Sequence, residues 1–243
     1  MYLEYFARLP EKAALRSCGE ARALLARLHD EVAEPDRFDL RLLHLTGAGQ
    51  PRHAPAAIRI GARRQSLVIS AVGSEAVECV QTNAPKVGAM LTRHFEAEPE
   101  QRFARGECEL RMAPLVRNYR VPSLVLVRRN FEREDEGISF QAILDENLYE
   151  HPRLNERVVQ VITQGIERQA GICLLDLPPL LLGDIKIHRL APVLVKPKIY
   201  FLVGAVSFRA GLVFSGPWHA GYLQSRGYGR IFAAPPTTAF RLR

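Results

Sequence analysis

An α+β chain of two domains is what this sequence predicts, on three observations. The first half alternates strand-type and helix-type patterns in the order βαββαβ. The second half repeats that layout more coarsely. A glycine-rich segment, Gly221-Tyr-Leu-Gln-Ser-Arg226-Gly227-Tyr228-Gly229-Arg230, follows near the C-terminus.

The elements read as follows. Residues 1–9 are a short aromatic-rich strand that Pro10 ends. Residues 12–29 are rich in Ala, Leu, Arg and Glu and predict a helix. Phe38, Leu40 and Leu42 have a period of two, so Phe38–Leu45 predicts a strand. A loop of Gly, Pro and His covers 47–57. Ser66–Val72 predicts a strand that Gly73 closes. Ser74 reads as the N-cap of a helix to about His94, with Val77, Val80, Val87 and Leu91 on one side. Pro85 is expected to kink or split it. Cys108–Met112 starts a further strand. This βαββαβ order is the ferredoxin-like unit, the fold of RNA-recognition motifs.

In the second half Ser123–Val127 predicts a strand, and residues 129–137 a charged connection. Leu154–Gln169 predicts a helix with Val158, Val161 or Ile162, and Ile166 inward. Ile185–Leu190 and Ile199–Phe208 predict strands. The expected fold is therefore tandem ferredoxin-like domains, 1–120 and 121–243, with a C-terminal glycine-rich loop.

Composition narrows the function. The 243 residues carry a net charge of +7, with an isoelectric point near 9.5. Of the 33 basic residues 28 are arginine. Arginine forks onto phosphates and stacks on bases, which points to nucleic acid. A GC-rich genome accounts for the ratio equally well, but less well for the net charge. The longest apolar run, Ile199–Phe208, is about half a bilayer span. The N-terminus has an acid at Glu4 and no long apolar stretch, so no signal peptide is expected and the location expected is cytoplasmic. Cys18, Cys79, Cys108 and Cys173 are too widely spaced for a zinc knuckle or a redox pair. Phosphate-loop, HExxH and GxSxG motifs are missing, as is an acidic pair for two metals. No metal or cofactor is expected.

In the glycine-rich segment, glycines let backbone N–H groups approach a phosphate, and Arg226 and Arg230 complete an anion site. Trp218, His219, Tyr222 and Tyr228 are placed to stack on bases. The other reading is a turn that needs positive φ. Gly221, Gly227 and Gly229, in this spacing before the apolar strand RIFAA, resemble the repeat-associated RNA-binding superfamily of CRISPR systems. The two-domain outline resembles its CRISPR RNA-processing endoribonucleases. The small size, the arginine content and the lack of an early histidine motif are similar to the type IV branch. The resemblance implies tandem ferredoxin-like domains, binding of the repeat hairpin and metal-independent cleavage at its base, and a monomer is expected. It also implies retention of the product RNA in an effector complex; other subunits of that complex are the expected protein partners, and no membrane partner is expected. A non-catalytic subunit that holds guide RNA is the alternative. One departure is Ala220-Gly221, where a second glycine is missing.

Four residues are candidates for the chemistry. Arg22 interrupts an apolar stripe formed by Leu15, Cys18, Leu25 and Leu28. A charge there either meets an anion in the cleft between the domains, or is resolved by a salt bridge or a snorkelling stem. His29 lies where many relatives place a histidine, and is equally a helix C-terminal residue favoured by the helix dipole. Arg37 lies at the start of the expected second strand, where relatives place active-site groups; beside Asp36 and Asp39, a surface ion pair is the other reading. Arg241 alternates with Phe240 and Leu242 in a tail that is either frayed or pinned by its apolar residues with its arginines facing RNA. Basic stretches 52–64, 117–129 and 128–133 either follow the RNA backbone or are solvated charge.

Overall fold

The computed structural model describes residues 1–46, 49, 56–63, 65–127, 152–172, 183–195 and 198–235. The chain has a mixed α/β fold whose strands pair antiparallel. It divides into two compact units. The first is Met1–Cys108 with Gln224–Gly227, the second Glu109–Leu223 with Tyr228–Arg243.

In the first unit, β1 (Tyr2–Arg8) is followed by α1 (Cys18–Asp30), β2 (Ile58–Arg63), β3 (Ser66–Val72), α2 (Ser74–Phe95) and β4 (Glu100–Gly106). The sheet order is β2-β3-β1-β4, so β2 and β4 are its edges. Leu3, Tyr5 and Ala7 of β1 and Leu67, Ile69 and Ala71 of β3 point to one face. There they meet Leu25 and Leu28 of α1 and Val80, Val87 and Leu91 of α2 in one core. Each Leu, Ile or Val among them is worth about 1.5–3 kcal/mol on burial, so the core holds both helices to the sheet.

The βαββαβ order therefore holds, but two strands are not the expected ones. Leu40–Leu43 is a 3-10 helix instead of a strand. Asp39 accepts from the Arg41 backbone N–H at 2.8 Å and from Arg41 Nε at 2.7 Å, which closes the turn. Leu42 and Leu43 are both buried. His44 takes φ 56° beyond them. The second strand is Ile58–Arg63, and the fourth is Glu100–Gly106 instead of Cys108–Met112.

The first helix also starts late. Glu11–Ala13 is a 3-10 turn, and α1 begins at Cys18. Ser17 Oγ accepts from the Glu20 N–H at 3.1 Å, and Glu20 Oε2 accepts from the Arg16 N–H at 2.7 Å. This reciprocal cap fixes the start and leaves Leu15 outside the helix. In contrast, α2 runs unbroken through Pro85. Pro85 and Gln81, whose carbonyl loses its bond, both lie on the solvent-facing side of the helix.

The second unit is built on β5 (Glu109–Val127) and β8 (Lys198–Ser215). They pair antiparallel from Glu109 opposite Ser215 to Val127 opposite Tyr200, with a register shift between Met112 and Arg117. Residue 120 lies inside β5, so the division between the units falls at Cys108 and Glu109. β6 (Gly183–Lys186), β7 (Arg189–Val195), β9 (Trp218–His219) and β10 (Arg230–Ala233) complete the sheet. Residues 187–188 separate two strands where one was expected. Helix α3 (Pro152–Ala170) buries Leu154, Val158, Ile162 and Ile166 along one stripe, with Val161 beside it. These pack with Val121, Leu124, Phe208, Leu212, Trp218 and Ile231. The stretch 129–137 lies outside the described residues. No helix among the described residues is long and apolar enough to cross a membrane.

Candidate nucleic-acid interface

Arg22 lies one turn into α1, four residues after Cys18 and three before Leu25. Its guanidinium is half-buried. Nη2 donates to the Leu43 carbonyl at the end of the 3-10 helix. Nη1 is buried and has no hydrogen-bond partner. Burial first, and then the positive charge of Arg226, hold the Arg22 pKa below its ordinary value. The group still stays charged near neutrality. The charge of Arg226 acts on Arg22, and one Arg22 donor is unsatisfied, so the arrangement suits an anion.

Arg226 is carried by the short 3-10 helix Gln224–Arg226, which belongs to the first unit. Arg59 of edge strand β2 donates from Nη2 to Gln224 Oε1 at 3.2 Å. Cys18 Sγ lies 3.5 Å from the Gly227 carbonyl. Gly227, at φ +79°, is seated so tightly that a Cβ would stand 2.1 Å from the Ile60 carbonyl oxygen. Burial raises the Cys18 pKa, which suits a packed thiol instead of a nucleophile.

The ends of the glycine-rich segment belong to the second unit. A Cβ on Gly229, at φ +78°, would stand 1.7 Å from the Ala220 carbonyl oxygen. The Gly229 N–H donates to Ser123 O at 2.7 Å, the Tyr222 N–H to Val125 O at 2.9 Å, and the Gly227 N–H to Gln224 O at 2.8 Å. The expectation that these amides cradle a phosphate is corrected here, because each already has a backbone acceptor. The glycines serve close backbone packing. Gly221, at φ +78°, likewise lies against Val125.

Two of the expected stacking residues are also corrected. Trp218 is 1% exposed and donates from Nε1 to Ser215 O at 2.8 Å, and His219 is 2% exposed. Gln169 of α3 clamps this stretch, donating to Pro217 O at 2.7 Å and accepting from the His219 N–H at 3.3 Å. Tyr222, Tyr228 and Arg230 are half-buried. The Arg230 guanidinium lies 5.1 Å from the Phe232 ring centre.

His29 and Arg37 stand elsewhere on the first unit. His29 is 8% exposed, with its ring edge-on to Phe38 at 5.0 Å and Nδ1 3.5 Å from Asp30 Oδ1. Arg37 donates from Nε to Val32 O at 2.7 Å and lies 3.9 Å from Glu34, not from Asp36 or Asp39. Both line a depression of about 760 Å³ that also carries Asn83 and Lys86. Arg241 and the stretch 128–133 lie outside the described residues. Within 52–64, Arg59 is 6% exposed, so it is no solvated charge. Sequence reasoning missed the pairing of Arg59 with Gln224, whose only signal is an arginine in an otherwise buried half-strand. No group of three His, Cys, Asp or Glu donors comes together among the described residues.

Residues 5–236 match the family model described as type IV CRISPR-associated endonuclease Csf5. The chain belongs to this family. Its fold is similar to the solved structure titled "Csf5, CRISPR-Cas type IV Cas6 crRNA endonuclease", with a TM-score of 0.61 at 17% identity, covering 96% of this chain and 99% of that one. A structure of the CRISPR RNA processing endoribonuclease Cas6b is similar at a TM-score of 0.51 and 15% identity, covering 96% of this chain and 100% of that one. A further Cas6b structure is similar at a TM-score of 0.57 and 14% identity, with the same coverage. No curated protein matches the chain. Membership in the type IV Csf5 family thus rests on nearly the whole chain, both units included.

Proposed function

We propose that this Csf5-family chain is a metal-independent endoribonuclease that binds the repeat hairpin of precursor CRISPR RNA, cuts at its base and keeps the product for an effector complex. The observation that carries the reading is the half-buried Arg22, with one unsatisfied nitrogen beside Arg226. The antiparallel βαββαβ order of the first unit supports a ferredoxin-like domain there, and the second unit is read as a derived copy. In the reaction, the 2′-OH attacks the neighbouring phosphorus and loses its proton to solvent. The P–O5′ bond breaks, the 5′-oxygen takes a proton, and a 2′,3′-cyclic phosphate remains. Arg22 stabilises charge on the phosphorane; Arg37 and Arg241 are the other arginines read from the sequence for that role, and Arg37 stands apart from Arg22 on the first unit. Tyr222, Arg226, Tyr228 and Arg230 hold the RNA, and Gly221, Gly227 and Gly229 shape the segment that carries them.

Cleavage of a repeat RNA is expected to proceed in excess EDTA, and to stop when the nucleotide upstream of the cut carries deoxyribose. Cutting of that deoxy substrate at the normal rate refutes 2′-OH attack. Binding without any cleavage leaves a non-catalytic subunit that holds guide RNA.

The arginine site also predicts the pH profile. A histidine general base lowers the rate about tenfold per pH unit below a pKa of roughly 6.5. Arginines titrate far above that range, so the single-turnover rate is expected to lack this inflection. A unit slope below neutrality that vanishes in His29→Ala would move the chemistry to His29.

A further inference from the structure

Arg59 is an expensive residue for an edge strand. It is 6% exposed and sits in register opposite Ser70, which is itself opposite Glu4. Ser70 Oγ donates to Glu4 Oε1 at 2.7 Å, so a buried polar row crosses three strands and ends at Arg59. Burying such a row brings less stability than apolar side chains of the same volume. What it brings here is a fixed donor at the sheet edge, 3.2 Å from Gln224 Oε1. Gln224 opens the 3-10 turn whose last residue is Arg226. The turn's other end is held by Gly227 against Ile60 and Cys18, and Cys18 lies one helical turn before Arg22. The turn is thus anchored on both sides of Arg226.

We infer that Arg59 and Gln224 are positioning residues: their hydrogen bond fixes Arg226 beside Arg22, so that the two guanidiniums form one phosphodiester-binding site within the first unit. This rests on the reading that the protein binds RNA, and adds two residues that touch no phosphate themselves. Without the Arg59 anchor the turn keeps its glycine seat but Arg226 loses a fixed direction. An unfixed arginine pays for its ordering on every binding event.

A double-mutant cycle on RNA affinity tests this, using a repeat hairpin with deoxyribose at the cut and an unrelated hairpin of equal length. Arg226→Ala is expected to weaken binding about tenfold at low salt and to flatten the log–log salt slope by about one unit, the signature of one lost phosphate. Gln224→Ala is expected to produce most of both changes. The double variant should bind no more weakly than Arg226→Ala alone. Arg59→Met should reproduce Gln224→Ala. If Arg59→Met does not fold, the Gln224 and Arg226 cycle still decides. Effects that multiply in the double variant, or an unchanged salt slope in Gln224→Ala, overturn the inference. If the cycle holds but the all-ribose repeat is never cut, the endonuclease reading falls and the positioning role stands.

Discussion

Arg22→Met is expected to slow single-turnover cleavage of the repeat RNA by about a hundredfold or more, the usual cost of removing one preorganised donor from developing charge. The hairpin affinity of the same variant is expected to fall less than the rate. Stability is expected to change little. In the free protein the Arg22 guanidinium is half-buried, faces the like charge of Arg226 and has one nitrogen without a partner. Methionine keeps the stem that packs in α1, removes the repulsion and removes the unsatisfied donor. It also leaves the Leu43 carbonyl without the Nη2 donor. The unsatisfied donor removed and the carbonyl left without a donor are each worth about 1–2 kcal/mol and oppose one another, so the melting temperature is expected to shift by only a few degrees. Arg22→Lys keeps the charge but not the planar fork, and should fall between wild type and Met. A folded Arg22→Met that cuts at the wild-type rate would falsify the arginine site.

The same residue shows what the sequence makes legible. A charge inside an apolar stripe is visible at 3.6-residue spacing, even though the helix starts at Cys18 and Leu15 lies outside it. Helix α2 was legible for the same reason, since Val77, Val80, Val87 and Leu91 repeat over a long span. The short elements were not. Phe38, Leu40 and Leu42 mimic a strand, and only the Asp39 side chain, closing on Arg41, turns that pattern into a 3-10 helix. The true second strand, Ile58–Arg63, alternates at Ile58, Ile60 and Ala62, but an arginine and a glycine within six residues obscure the pattern. The anchor of Arg226 was out of reach. Arg59 and Gln224 are 165 positions apart, and neither belongs to a recognisable spacing. The three glycines were visible as a group, but their reason was not. Close backbone packing and phosphate cradling ask for the same residue, and only the hydrogen-bond partners of the amides separate them.

Gly229→Val is expected to be the most destabilising single substitution in the glycine-rich segment, and to act through folding instead of RNA contact. The residue sits at φ +78°, which a β-branched side chain avoids, at a cost of about 1–2 kcal/mol for any L-residue. Its Cβ would stand 1.7 Å from the Ala220 carbonyl oxygen, a backbone atom that cannot swing aside. Ala220 is itself pinned. Its N–H donates to the Gly229 carbonyl at 2.8 Å, and its Cα lies where a Cβ on Gly165 of α3 would come within 2.6 Å. Relief therefore requires the chain to leave β5, breaking the bond from Gly229 to Ser123 and loosening the pairing of β10 with β9. A total of roughly 4 kcal/mol follows, at the upper end for point substitutions, and a fall in melting temperature of about 10 °C or more. Gly227→Val should rank second, with its Cβ 2.1 Å from the Ile60 carbonyl, and Gly221→Val third, at 2.7 Å from that of Val125. Thermal unfolding and RNA affinity, measured on the same preparations, separate this account from a phosphate cradle. A cradle predicts weakened binding at an unchanged melting temperature. Packing predicts the reverse order of sensitivity, with the loss of stability graded as 229, 227, 221, and a Gly229→Val protein that melts normally would show that the glycines are there for the RNA.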